Sequence, residues 1–229
     1  MTILLTAATP AELSPTLQWL RKRAIFADRN ILHYSQAELH LVFTGMGTLA
    51  TGYALGTYLA GHRIDLAIQG GIAGALDREL DIGQVVRVVE DCQLDFGAED
   101  RGGEYLDLRA MQFAYTSPHD EDGWLRPKEV AAAHLPFAAV KGGTTNRSSG
   151  SRATIDLIRH HFPEVQLETM EGAAFFYACL QAGVKPLQLR AVSNYVTERD
   201  RDRWQIGKAI GNLDRALRQV LGPFIEAVA

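Results

Sequence analysis

Four groups of residues have types and spacings that could do chemistry. The first is Glu171, in LETMEGAAFFYACL (Leu167 to Leu180), where an extended run turns into a helix of small and aromatic residues. A carboxylate at a helix start is favoured by the dipole by about 0.3–1 kcal/mol, and that alone can account for it. Its chemical use would be as an acceptor: an ionised carboxylate has two oxygens, and two neighbouring hydroxyls, as on a ribose, offer two donors. The second group is Arg190, Ser193 and Asn194, closing the apolar run PLQLRAVSNYV (Pro186 to Val196). A surface ion pair and turn chemistry are the plainer readings of these residues. In open α/β sheets, however, ligands bind outside strand ends, so both groups can face one pocket.

The third is Glu12. Thr9, Pro10 and Glu12 fit a helix start with Thr as cap, Pro at the first helical position and Glu at the third, a capping box. The alternative is a general base just beyond the first strand. The fourth is the run QGGIAGALD, Gln69 to Asp77, where glycines after a strand permit close approach of backbone to ligand and make Gly71 and Ile72 candidate contacts. Gln69 stands where the dinucleotide fingerprint needs glycine, and no G-K-[ST] follows for a phosphate loop. A tight strand-to-loop turn without ligand fits as well. Thr44 to Thr48, TGMGT, is a second glycine turn. No Lys or Arg lies between Thr44 and Gly61, so a phosphate there lacks a local cation and a structural turn is favoured. Arg199, Arg201 and Arg203 alternate with Asp200 and Asp202 and read as a solvated charged segment.

The elements that must position these residues alternate. Strands are expected at Ile3–Thr6, Leu39–Thr44, Leu66–Gln69, Val85–Val89, Phe137–Val140, Val165–Glu168 and Leu187–Val192. Helices are expected at Ala11–Arg23, Leu49–Ala60, Ala153–His161, Gly172–Ala182 and Ile206–Val228, with Pro223 as a break point in the last. Such alternation predicts a mostly parallel sheet with helices on both faces. The polar stretch Gly97–Arg126 reads as a long surface connection. No repeat or composition break marks a linker, so one domain is expected over residues 1–229.

Composition narrows the class. The 229 residues can bury a sizeable core, and 47% hydrophobic with 22% charged residues is ordinary for a soluble globular protein. A net charge of −4 argues against nucleic acid or an anionic membrane as partner. Cys92 and Cys179 are far apart, have no metal-ligand spacing and read as buried thiols in a reducing compartment. The start, MTILLTAATPAEL, lacks a basic leader and reads as a first strand, and no apolar run reaches spanning length.

Taken in order, TAATPAEL, TGMGT, GGIAGAL, DIGQVV, IRHHFP, TMEGAA and RAVSN resemble the nucleoside phosphorylase/nucleosidase superfamily, which includes methylthioadenosine/adenosylhomocysteine nucleosidase. The GIAG, MEGAAFFY and SNYVTERDRDRW forms are most similar to its futalosine hydrolase branch, which removes hypoxanthine from futalosine in a bacterial menaquinone route. The resemblance implies a three-layer α/β/α fold with a central mixed, mostly parallel sheet. It also implies a cytoplasmic homo-oligomer, dimer or tetramer, acting on a small nucleoside without metal or organic cofactor. Residue by residue, it makes Glu12 the carboxylate that activates water, Met170 and Glu171 the ribose-binding pair, and Arg190 an arginine near ribose and water. Ser193 precedes the base-site position, which Asn194 occupies.

Two departures carry information. Adenine-specific nucleosidases have Asp at the position of Asn194. A 6-oxopurine offers acceptors at both O6 and N7, and the Asn amide carries two donors, so Asn194 favours hypoxanthine or guanine. Nucleosidases often have Ser where this chain has Ile72. Phosphorylases of the group place arginine near the first strand, but Ala8 to Leu13 has none and holds Glu12 instead. A carboxylate there repels phosphate and suits a base for water. An adenine-specific nucleosidase, a purine phosphorylase and a catalytically dead nucleoside-binding module are the rival readings. The non-purine end of the substrate is expected near Phe43, Tyr53 or Gly97–Arg126, and Thr144–Ser149 as a wall of the base site.

Overall fold

A computed structural model describes residues 1–128 and 135–225. The apolar runs form strands β1 (Thr2–Ala7), β4 (Glu38–Phe43), β5 (Leu66–Ala75), β6 (Val85–Gln93), β10 (Ala138–Thr144), β11 (Leu167–Thr169) and β12 (Lys185–Tyr195). Short strands β2 (Phe26–Asp28), β3 (Ile31–His33) and β9 (Trp124–Leu125) extend the sheet, and β7 (Ala98–Glu99) pairs with β8 (Tyr105–Leu106) in a separate ribbon. The helices are α1 (Ser14–Arg23), α2 (Thr48–Gly61), α3 (Arg152–His161), α4 (Gly172–Ala182) and α5 (Ile206–Ile225).

The main sheet runs β11-β10-β6-β12-β5-β1-β4-β3-β2. Parallel pairing joins β4, β1, β5 and β12, and also β6, β10 and β11. Antiparallel pairing of β12 with β6, and of β11 with β5, makes the sheet mixed. The β11–β5 contact closes a ring of five strands, β5-β12-β6-β10-β11. The ring brings the ends of β5, β11 and β12 to one mouth, where Gly74 pairs with both Glu168 and Asn194.

Helices cover both faces, as the alternation predicts. On one face α1 and α5 pack on β1, β4, β5 and β12 through Leu20, Leu213, Leu217 and Leu221, all fully buried. On the other, α2 and α4 bury Leu55, Phe175 and Phe176, each contributing about 1.5–3 kcal/mol. Gly183, in the left-handed region at φ 67°, ends α4 with its N–H on the last carbonyls.

Four expectations change. Gly70–Ala75 is not a turn after a short strand: β5 continues through it to Ala75. The glycines there answer close packing rather than chain reversal. A Cβ on Gly70 would lie 3.2 Å from Leu13 and Leu217, and one on Gly71 would lie 2.4 Å from the Arg190 guanidinium. The expected helix from Ala11 begins as a 3-10 turn, Pro10–Leu13, before α1. Pro223 lies inside α5 without ending it, and the expected end at Val228 lies outside the described residues. Strand β12 extends through Ser193 and Asn194 to Tyr195, with a bulge between Val192 and Asn194.

Candidate active site

At the mouth of the strand ring lies a cavity of about 590 Å³ lined by Glu12, Ile72, Met170, Glu171, Ser193 and Asn194, among others. The residues singled out on β12, the α4 start and the first loop thus meet in one place. Gly71 and Arg190 lie behind this lining.

Arg190 is the centre of the layer beneath. It is 1% exposed, so neither a surface pair nor solvent holds it. Its Nε donates to Gln188 Oε1 (3.0 Å) and its Nη2 to Gln69 Oε1 (2.6 Å), while Nη1 lies 3.6 Å from Glu171 Oε2. A Cβ on Gly71 would fall 2.4 Å from Nη1 and 3.0 Å from Glu12 Oε1. Gly71 therefore lets one guanidinium stand beside two carboxylates.

Glu12 makes the capping contact its sequence context predicts and also lines the cavity. Its Oε2 accepts from the Thr9 N–H (3.0 Å), as a cap would, and its Oε1 accepts from the Ile72 N–H (3.3 Å) across the cavity wall. Burial pushes its carboxyl up, the Arg190 charge pulls it back, and Glu171 adds to the rise. The balance is a fixed carboxylate with raised proton affinity, which suits a base. Ile72 contributes its backbone N–H, which needs no particular side chain.

Glu171 precedes α4 without capping it. Its Oε1 accepts from Gly47 N–H (3.2 Å), so the TGMGT turn, bent by Gly45 and Gly47 at φ 82° and 87°, braces a carboxylate instead of holding a phosphate. Asn194 is oriented by its neighbours. Ser193 Oγ donates to Asn194 Oδ1 (2.8 Å), and Nδ2 donates to the Tyr195 carbonyl (3.1 Å). One Nδ2 hydrogen remains for a ligand.

Comparisons with known proteins bear on the chain as a whole. The family model of the phosphorylase superfamily matches residues 2–226. The futalosine hydrolase of Streptomyces coelicolor is 32% identical over 74% of this chain and 70% of its own length. The chain belongs to the phosphorylase superfamily and, within it, to the futalosine hydrolase family. The futalosine hydrolase of Thermus thermophilus is 29% identical over 78% of this chain and 79% of its own. The crystal structure of the methylthioadenosine/S-adenosylhomocysteine nucleosidase of Neisseria meningitidis, in complex with methylthio-immucillin-A, superposes with a TM-score of 0.76 at 20% identity. It covers 97% of this chain and 99% of its own, and at that identity it shows the shared three-layer α/β fold.

Sequence reasoning missed several lining residues. Arg199 and Arg201 are exposed, as their alternation with acids predicts, and they also stand at the cavity beside Trp204, with both guanidinium groups near its ring (5.5 and 5.8 Å). Phe43, Tyr53 and Gly97–Arg126 do not line it, whereas Met46, Ile206 and Ile210 do. The Ser148–Ser149 end of the Thr144–Ser149 loop is part of the wall, as expected. Glu168, which carries no sequence signal beyond its place in a strand, is a buried cavity-lining acid. Among the described residues, no group of three or more His, Cys, Asp and Glu could hold a metal ion, and no helix is long and apolar enough to cross a membrane.

Proposed function

We propose that this chain is a futalosine hydrolase, cleaving the N-glycosidic bond of futalosine with water and releasing hypoxanthine in a menaquinone route. The observation that carries the reading is the single cavity shared by Glu12, Glu171 and Asn194, with Arg190 behind the two acids. Loss of a purine proceeds through a transition state of oxocarbenium character. The free lone pairs of Glu171 accept the two ribose hydroxyls and fix the ring for attack, with Met170 against the sugar. Arg190 stands beside both Glu171 and Glu12. Glu12 Oε1, which like the guanidinium stands over the bare Cα of Gly71, takes a proton from the attacking water. The remaining Asn194 N–H bonds O6 or N7 of the leaving base and stabilises its growing charge.

A carboxylate at the water position disfavours phosphate as nucleophile, so hydrolysis is preferred to phosphorolysis. Asn194 in place of an acid favours a 6-oxopurine over adenine. The whole chain acts as one unit and assembles as a homo-oligomer. Cys92 and Cys179, both unpaired and buried, fit a cytoplasmic protein. The test is base release from futalosine, inosine and methylthioadenosine, with and without phosphate, followed chromatographically. Phosphate-independent hypoxanthine from futalosine is expected. Adenine release as the faster reaction would favour the methylthioadenosine nucleosidase reading, and strict dependence on phosphate would favour a phosphorylase.

A further inference from the structure

Arg190 is a buried cation fixed by neutral groups. A guanidinium only donates hydrogen bonds, and a buried charge is ordinarily paired with an opposite one that accepts them. Glu12 and Glu171 stand beside this guanidinium, and Asp91 lies one side chain away. Yet the two bonds that fix it go to amides: Nε donates to Gln188 Oε1 (3.0 Å) and Nη2 to Gln69 Oε1 (2.6 Å). Its Nη1 stops 3.6 Å from Glu171 Oε2, outside hydrogen-bond reach.

The sheet builds this arrangement from two nearby pairs of one ladder. Gln188 pairs with Gln69 across β12 and β5, and Arg190 pairs with Gly71 two residues on. Paired residues, and residues two apart on one strand, share a face of the sheet, so both amides and the guanidinium lie together. Gly71 leaves the guanidinium room, because a Cβ there would collide with Nη1. Gly172, the first residue of α4, comes down on the same layer: a Cβ on it would fall 2.5 Å from Gln188 Oε1. Gln188 also stands between two charges, since its Nε2 donates to Asp91 Oδ2 (3.3 Å) while its Oε1 takes the Arg190 Nε.

At Gln69 the guanidinium sets the amide. Turning Oε1 to Arg190 turns Nε2 away, and that nitrogen is buried with no protein partner among the described residues. Buried polar groups are almost always paired, so an apolar side chain of the same length would suit this place better unless the carbonyl is needed. The need follows from what Nη1 does not do. A guanidinium that closes on a carboxylate makes a bidentate pair and occupies both oxygens. Glu171 Oε1 already accepts the Gly47 N–H, so Oε2, which faces Nη1, is the oxygen with both lone pairs open. We propose that Gln69 and Gln188 are positioning residues that tether the Arg190 guanidinium short of Glu171 without neutralising it, so that Oε2 stays open to the hydroxyls of a ribose. A carboxylate in either place would tether the guanidinium too, but would offset its charge. The inference rests on the reading of Glu171 as the ribose acceptor and names the residues that keep it available.

The experiment compares inosine with 2′-deoxyinosine as competitors of futalosine hydrolysis, in wild type, Gln69→Met and Gln69→Glu. Wild type is expected to hold inosine roughly 10- to 100-fold tighter, the range for a hydrogen bond to a charged group. Gln69→Met keeps the length and removes the acceptor, so the guanidinium closes on Glu171. Inosine affinity is then expected to fall to that of 2′-deoxyinosine, whose own affinity holds, and KM for futalosine to rise more than kcat falls. Gln69→Glu restores the acceptor, so the discrimination is expected to return. The acid limb of kcat/KM moves to higher pH in that variant, because the added carboxylate offsets the Arg190 charge that lowers the Glu12 carboxyl. A folded Gln69→Met enzyme that discriminates as wild type does overturns the inference. So does equal weakening of both nucleosides, which marks a merely structural role. If Gln69→Met does not fold, Gln69→Glu decides alone, and lost discrimination or an unmoved acid limb overturns the inference. A wild type that does not distinguish the two nucleosides, or does not hydrolyse futalosine, removes the proposed function before any variant is read, and the inference with it.

Discussion

Glu12 illustrates why a residue's local and functional roles need not compete. A carboxylate has two oxygens, and here one satisfies the Thr9 N–H at the start of the 3-10 turn while the other meets the Ile72 N–H on β5. The cap fixes the side chain, and the fixed side chain is what a base needs. Glu12→Gln keeps the shape and one acceptor oxygen, so it can hold one of these two contacts while its amide nitrogen faces the other N–H, and it loses the proton acceptor. That variant is expected to lose about 10²- to 10⁴-fold in kcat, the range for general-base removal, while binding hypoxanthine as wild type does. Single-turnover kinetics with product titration separates the two quantities. Near-normal turnover in the variant would remove Glu12 from the proton transfer. Asn194 and Arg190 follow the same logic of fixed orientation. The first is held by the hydroxyl of Ser193, the second by the side-chain carbonyls of Gln69 and Gln188.

At the scale of elements, long apolar runs and helices with clear ends were legible in the sequence. Helix α4 has its expected limits, Gly172–Ala182, because Gly183 stops it and a strand precedes it. Strand β5 was read short because paired glycines usually mark a turn. In this protein they mark a strand whose neighbours, Leu13, Leu217 and the Arg190 guanidinium, stand too near for a Cβ. Sequence alone does not distinguish a glycine chosen for its torsions from one chosen for its missing side chain. Nor does it show the β11–β5 pairing, which depends on closure of the ring and places Glu168 in the site. Arg199 and Arg201 are solvated, as their alternating charge pattern predicts, but the pattern does not show that they also stand at the cavity around Trp204. Helix α2 leaves an apolar face outside: Leu49 is 87% and Tyr53 76% exposed, and the preceding Met46 lines the cavity. Such a patch beside a ligand site suits a second copy of the chain. Sedimentation is expected to show a dimer or larger assembly, and Leu49→Glu with Tyr53→Glu to weaken it and raise KM. A wild-type monomer at micromolar concentration would sink this assignment.

Across the whole molecule, the site rests on a buried polar chain that runs through the core. Arg190 donates to Gln188, Gln188 donates to Asp91 Oδ2 (3.3 Å), and Thr144 donates to Asp91 Oδ1 (2.8 Å). Thr144 Oγ1 in turn accepts the Ala173 N–H in the first turn of α4 (2.8 Å), just after Glu171. The chain thus ties β12, β6 and β10 to α4, the helix that Glu171 precedes. Asp91 is wholly buried, and desolvation pushes its carboxyl up to about 7, against its hydrogen bonds to Thr144 and Gln188 and the Arg190 charge. In the unfolded chain the same group titrates near its ordinary 3.8. Between those two pH values the native protein holds a proton that the unfolded chain has released. Asp91 therefore makes stability fall as pH rises from about 4 to about 7, with no further change above. The full effect is at most about 4 kcal/mol. Glu38 and Asp77, whose carboxyls are held low by hydrogen bonds to His40 and Gln166, act in the opposite sense at lower pH, so wild-type stability alone does not isolate Asp91. Urea unfolding of wild type and Asp91→Asn at pH 5, 6, 7 and 8 does, because those groups are common to both. The difference, wild type minus variant, is expected to decline through this range and level off near pH 8. A difference that stays flat would mean that Asp91 is ionised throughout, and that the Arg190 charge reaches it through Gln188 strongly enough to offset its burial.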